Sequence, residues 1–158
     1  MQSMASVMRA YNQENDMTEL SEKIGSCLCG AVRVTAHNPS NRVGACHCGM
    51  CRRWGGGPFM EIDCGTDVSF DGEANIEVYD SSDWAERGFC KKCDRHLFYR
   101  LKQNRRHMVP VGLFDDQNNL VFEHQVFIDK KPAFYSFSND TKNMTEAEIF
   151  AMFGPSED

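Results

Sequence analysis

Seven of the eight cysteines in this chain fall into three tight groups, and that grouping limits its fold more than any hydrophobic pattern does. The groups are Cys27-Leu-Cys29, Cys46-His-Cys48-Gly-Met-Cys51 and Cys90-Lys-Lys-Cys93. Spacings this short let two thiolates share one ion, and thiolates are preferred ligands of zinc. An even number of cysteines also admits four disulfides, but disulfide frameworks belong mostly to small exported domains. At 158 residues the chain is larger than most of those, and its first twenty residues contain no continuous apolar run of the export type. The expectation is a metal-binding protein of the cytoplasm, with disulfides or redox-active cysteines as the alternatives.

The length suits one domain with a real core. A formal net charge of −6 argues against a general binder of nucleic acid or anionic membranes. No run approaches the ~20 apolar residues of a membrane span. Residues 1–20 are polar and lack periodicity, which predicts a disordered tail. A zinc-binding domain is expected over 21–140 and a helical extension over 141–158.

Ile24–Gly30 reads as a turn entering a strand, and Ala31–Ala36 alternates apolar and polar residues as a half-buried strand does. Further short strand candidates are Pro58–Asp63, Thr66–Phe70, Asn75–Tyr79, His96–Leu101, Met108–Val111, Leu120–Phe122, Val126–Ile128 and Ala133–Phe137. Many short runs with frequent turn signals predict a mainly β domain. Thr145-Glu-Ala-Glu148 has capping-box spacing, with Met144 and Ile149 placed as a hydrophobic staple and Gly154-Pro155 as a stop. This predicts a short helix over Glu146–Phe153, docked by Ile149, Met152 and Phe153.

The sulfurs divide in two ways. Cys27, Cys29, Cys90 and Cys93 supply the four ligands of a closed structural site, which leaves Cys46, Cys48 and Cys51 as a triplet with one open position. An extended segment points Cys46 and Cys48 to one side and His47 to the other, and a turn at Gly49-Met50 brings Cys51 back. In the rival partition Cys48, Cys51, Cys90 and Cys93 form an ordinary four-cysteine staple. Cys64 has no partner by spacing; it reads as a small buried hydrophobe or as a fourth ligand closing the triplet.

Gly25-Ser-Cys-Leu-Cys-Gly-Ala-Val32, Cys46-His-Cys-Gly-Met-Cys-Arg-Arg53, Gly88-Phe-Cys-Lys-Lys-Cys93 and Val126-Phe-Ile-Asp-Lys-Lys-Pro132 follow one another over about residues 24–135. In this succession the chain resembles the glutathione-dependent formaldehyde-activating enzyme family, which also includes centromere protein V. Two positions depart from the family pattern: Asp94 stands where glycine is usual, and Phe134 where tryptophan is common.

The resemblance implies a β-tent fold of folded-over antiparallel sheets. It also implies a structural zinc on Cys27, Cys29, Cys90 and Cys93 and a second zinc on a catalytic triplet, Cys46, Cys48 and Cys51. The implied activity is that of a carbon–sulfur lyase handling a glutathione–aldehyde adduct such as S-hydroxymethylglutathione. Glutathione carries two carboxylates, for which Arg52 and Arg53 are candidate partners and the Gly55–Gly57 backbone, with Gly55 and Gly56 foremost, a candidate anion nest. Trp54 reads as a core or rim residue.

Eight basic residues face only Asp94 over residues 87–107: Arg87, Lys91, Lys92, Arg95, Arg100, Lys102, Arg105 and Arg106. Such a run usually means a solvated hairpin. It also supports an alternative, a non-enzymatic zinc-stapled module that docks a protein or nucleic-acid partner there. A third reading gives the triplet a thiol-redox role. His107 and His124 are proton carriers without an assigned place.

Overall fold

The structure, a computed structural model, describes residues 21–153. The tail expected over 1–20 and the Gly154-Pro155 stop lie outside the described residues. In chain order the elements are β1 (Glu22–Ser26), β2 (Arg33–His37), β3 (Arg42–Cys46), α1 (Gly49–Gly55), β4 (Phe59–Gly65), β5 (Val68–Asp71), β6 (Ile76–Asp80), β7 (Ala85–Cys90), β8 (His96–Leu101), β9 (His107–Pro110), β10 (Val121–Val126), β11 (Lys142–Met144) and α2 (Glu146–Phe153).

They form two sheets. One is three-stranded, β1-β2-β5; the other is eight-stranded, in the order β11-β10-β3-β4-β9-β8-β7-β6. All pairings are antiparallel except those of β10 with β3 and with β11. The fold is thus mainly β with a short C-terminal helix, as the strand pattern and the Thr145–Glu148 capping box predict.

The core lies between the sheets because strand alternation sends one set of side chains inward. β2 contributes Val34 and Ala36, and the larger sheet contributes Val43, Ile62, Cys64, Leu97, Phe98 and Val109. Phe70 of β5 meets Phe98 of β8 with ring centroids 5.2 Å apart. Each such aliphatic or aromatic side chain contributes about 1.5–3 kcal/mol by leaving water. Cys64 is 2% exposed within this cluster, as a small hydrophobe.

Five local expectations are corrected. Ala133–Phe137 is a loop, with Tyr135 and Phe137 packed on His47 rather than paired in a ladder. The run Val126–Ile128 breaks after Val126, because Phe127 turns to φ 55° and Ile128–Lys130 coils into a single 3₁₀ turn. Leu120–Phe122 marks only the start of a strand that continues to Val126. The segment after Cys48 is a helix rather than a turn at Gly49-Met50. On α2, Met152 and Phe153 are 61% and 74% exposed and do not dock it, whereas Ile149 is half-buried and Phe150 meets Phe127 edge-on at 6.0 Å.

Strand β7 escapes periodicity because Glu86-Arg87-Gly88 interrupts its alternation, while Ala85, Arg87, Gly88 and Cys90 are all buried. At α2 the capping box forms in full: Glu148 N–H donates to Thr145 Oγ1, and Thr145 N–H donates to Glu148 Oε2, each at 3.2 Å.

Candidate metal centre

All eight cysteines are free thiols. Cys27 and Cys29 leave the end of β1, while Cys90 ends β7 and Cys93 sits in the turn before β8. One sulfur from each of these four residues lies within 4.8 Å of all the others. Cys27 and Cys29 sulfurs are 3.6 Å apart, and Cys29 and Cys90 sulfurs 3.8 Å. A tetrahedron with Zn–S bonds of ~2.3 Å has edges of about 3.8 Å, so the spacing suits a four-sulfur ion. Backbone amides support the anionic form, as where Val32 N–H donates to Cys27 Sγ at 3.3 Å. Burial opposes ionisation of Cys93, yet Arg95 and Cys29 backbone donors and neighbouring sulfurs bring it down to about 6. The group bridges the two sheets, since β1 belongs to one and β7 to the other.

The second group is built where β3 runs into α1. Cys46 ends the strand, Cys48 caps the helix and Cys51 lies in its first turn, with the three sulfurs again within 4.8 Å of one another. The local reason is the cap itself. Cys48 Sγ accepts the Cys51 N–H at 3.3 Å, which starts a helix in a sequence rich in glycine. This satisfies the geometry that the triplet requires, by a helical turn and not by a tight one.

Three thiols this close cannot all ionise alone. Sulfhydryl contacts from Cys46 and then Cys51 depress Cys48 to about 2, and the same contacts push Cys46 far up. The Cys46 contact favours ionisation of Cys51, but Cys48 and burial outweigh it and raise Cys51 to about 11. One sulfur holds the charge at its neighbours' expense. A divalent cation lifts that mutual penalty, so the donor set fits a soft-ligand metal such as zinc.

Arg87, read from the sequence as part of the basic hairpin, belongs to this centre. It is 4% exposed, and both its Nη1 and Nη2 donate to Cys51 Sγ at 3.8 Å. Its guanidinium lies between the rings of Trp54 at 4.6 Å and Tyr99 at 4.9 Å. Trp54 also stacks on His96 at 4.1 Å, so it forms packed wall rather than an open platform. Sequence reasoning missed Arg87 because it opens the basic run 87–107 and reads with it as surface charge. The available signal was its place on a strand that ends in Cys90.

His47 faces away from the sulfurs and is fully buried. Its Nε2 donates to Gln125 Oε1 at 2.8 Å, because Gln125 uses its own Nε2 to donate to Thr141 Oγ1. Nδ1 is then left to accept from the Tyr135 hydroxyl at 2.8 Å. The His47 carbonyl accepts from Arg52 Nε at 3.0 Å. One residue between two sulfur donors therefore also positions Arg52 and Tyr135.

Those two residues, with Arg53, Gly56, Gly57, Pro132 and Phe134, line a cavity of about 250 Å³. Arg52 and Arg53 are thus brought together at one opening, beside the exposed ring of Phe134. Gly55 does not line it. Gly56, at φ 84°, closes α1 by donating its N–H to Arg52 O at 2.8 Å, so that donor is unavailable to an anion nest.

The remaining candidates lie elsewhere. Cys64 belongs to neither sulfur group. His107 packs in the core against Phe98, and burial lowers its pKa. The basic run is largely paired with acids from other elements: Lys91 with Glu77, Arg100 and Arg105 with Glu86, Lys102 with Asp80, and Arg106 with Asp63. Four acids thus engage five of the eight basic residues, and a sixth, Arg87, is buried.

Fold and site together define a class: a two-sheet β domain with one four-cysteine cluster between its sheets and one three-cysteine cluster at the start of a helix whose later residues Arg52 and Arg53 line a cavity. The chain matches the family model "Glutathione-dependent formaldehyde-activating enzyme" over residues 22–130, and it belongs to that family. It is 35% identical over 131 residues to an uncharacterized lyase of Schizosaccharomyces pombe, covering 82% of this chain and 96% of the relative. A crystal structure of a Rhodobacter sphaeroides protein shares the fold, with a TM-score of 0.52 and 24% identity over 60% of this chain and 90% of that one.

Proposed function

We propose that this protein is a zinc-dependent carbon–sulfur lyase whose substrate is an adduct of glutathione with a small aldehyde, of the S-hydroxymethylglutathione kind. The observation that carries the reading is the joint position of Cys46, Cys48 and Cys51 and of the two arginines that follow them into the cavity wall. Family membership and a lyase-named relative support the reaction class.

The four-cysteine group is assigned to a structural ion, and the three-cysteine group to an ion with one position for a guest. Such an ion favours the thiolate form of that guest, and the thiolate is the reactive species. Arg87 offsets the negative charge of the sulfurs. Arg52 and Arg53 hold the carboxylates of the tripeptide, and Phe134 covers one side of it. In lysis the adduct hydroxyl loses its proton, the carbonyl forms, and the carbon–sulfur pair leaves with sulfur; addition is the reverse. Fixed orientation of sulfur and carbonyl supplies much of the rate. The free thiols this reading needs suit a reducing compartment, the cytoplasm.

Docking of nucleic acid through residues 87–107 is the less supported alternative, because five of the eight basic residues there are engaged by acids and Arg87 is buried. Titrating glutathione into zinc-loaded protein tests the lyase reading. Saturable binding and an added sulfur neighbour in the zinc X-ray absorption spectrum are expected, both absent in Cys48→Ser. No binding and an unchanged spectrum overturn it.

A further inference from the structure

The reaction moves a proton to or from the carbonyl oxygen, and none of the residues placed so far handles it. Three neighbouring strands bring two titratable side chains together on the face of Cys46. Gly44 of β3 lies opposite His124 of β10 and Glu61 of β4. A Cβ built on Gly44 would stand 2.1 Å from His124 Nε2 and 2.7 Å from Glu61 Oε1. The direction in which a side chain at 44 would project is therefore filled by an imidazole and a carboxylate. Cys46, two residues along the same strand, projects to the same side, about 7 Å away at ~3.4 Å per residue. The pair shares the sheet face that carries the Cys46 sulfur, while His47 faces the other way.

The pair is also shielded. His124 Nε2 lies 3.8 Å from Glu61 Oε1, with the side chains 25% and 13% exposed. Nδ1 lies 3.5 Å from Glu123 Oε1, Glu123 is itself paired with Arg42, and Lys142 of β11 stands opposite His124 in the ladder. Asp63, the other acid near Glu61, is engaged by Arg106. The Glu61 carboxylate raises the His124 pKa above its ordinary value, and burial raises that of Glu61. Glycine at 44 is what lets the two side chains close over the strand.

We propose that Glu61 and His124 form the proton relay of the lyase site, with His124 exchanging the proton of the substrate oxygen and Glu61 positioning it; this rests on the thiol–aldehyde reading above. In lysis the hydroxyl proton passes to neutral His124, the O–H pair becomes the carbonyl π bond, and the carbon–sulfur pair departs on sulfur. In addition, the sulfur pair forms the new bond and the displaced π pair takes the imidazolium proton. No oxidant or reductant enters.

The test is exchange of ¹³C-formaldehyde with glutathione, followed by NMR on zinc-loaded protein. His124→Gln is expected to lower the catalysed rate by about 100-fold or more, with glutathione affinity within about twofold of wild type. The surface variant His37→Gln should change neither. Lysis needs neutral His124, so its rate rises with pH to the His124 midpoint. Glu61→Gln removes the charge that holds the proton and moves that limb to lower pH, by the shift that the His124 imidazole resonance shows directly. This second variant also carries the test if His124→Gln fails to fold. Wild-type exchange and an unmoved pH limb in these variants overturn the relay alone. A wild-type protein that neither binds glutathione nor accelerates exchange overturns the lyase reading, and the relay with it.

Discussion

Arg87 brings a permanent charge to a position from which water is excluded, a cost of several kcal/mol for an unpaired ion. The Cys51 sulfur and two aromatic faces are what offset it. The converse also holds: the guanidinium favours the thiolates that a metal requires. Arg87→Met should weaken metal binding at the three-cysteine group about 10- to 100-fold, leaving the four-cysteine group unchanged, as chelator competition will show. Loss of the positive charge raises the thiol pKa values, so protons compete better. The acid release of that metal should therefore begin at a higher pH in the variant. Asp94 is the other instructive residue. It holds φ 61° in the turn between Cys93 and β8, where its N–H donates to Cys90 O at 2.8 Å. Aspartate tolerates this left-handed region better than most residues, but glycine adopts it without a Cβ clash.

Helix α1 is the element that turns a cysteine motif into a site. Its N-terminal end is fixed by the Cys48 cap and its C-terminal end by Gly56, with Arg52 and Arg53 in the last turn, where basic side chains complement the exposed carbonyls. Gly56→Ala places a Cβ at φ 84° and should cost about 1–2 kcal/mol, measured by denaturant unfolding. It should also weaken glutathione binding more than metal binding, because the disturbed end carries the arginines and the undisturbed end the sulfurs. A loss of metal without loss of glutathione affinity would contradict this division of the helix.

At the scale of the molecule, the two sulfur groups differ in what they join. The four-cysteine group ties the three-stranded sheet to β7 of the larger one, so its metal is coupled to folding. The three-cysteine group joins a strand to the helix that follows it and closes no long loop. Cys93→Ser should therefore unfold or strongly destabilise the protein, whereas Cys48→Ser should leave a folded chain that retains one metal. Metal content and circular dichroism on freshly purified proteins distinguish the cases; equal loss of structure in both would refute the assignment.

Ligand spacing, strand alternation and the Thr145–Glu148 capping box are local properties, set by backbone geometry over a few residues. From these alone the amino-acid sequence determined the mainly β class, the terminal helix and three tight groups of cysteines; which of the groups share a site was decided by the tertiary structure, which joins Cys27 and Cys29 to Cys90 and Cys93. The sequence could not divide the basic run 87–107 into one buried guanidinium and several surface ion pairs, because the partners Glu77, Asp80 and Asp63 arrive from other strands and Cys51 from helix α1. Nor could it bring His47 to Gln125 and Tyr135, or Glu61 to His124 across Gly44. Those contacts depend on register between strands far apart in sequence. They exist only once the sheets have excluded water and made each polar side chain find its partner.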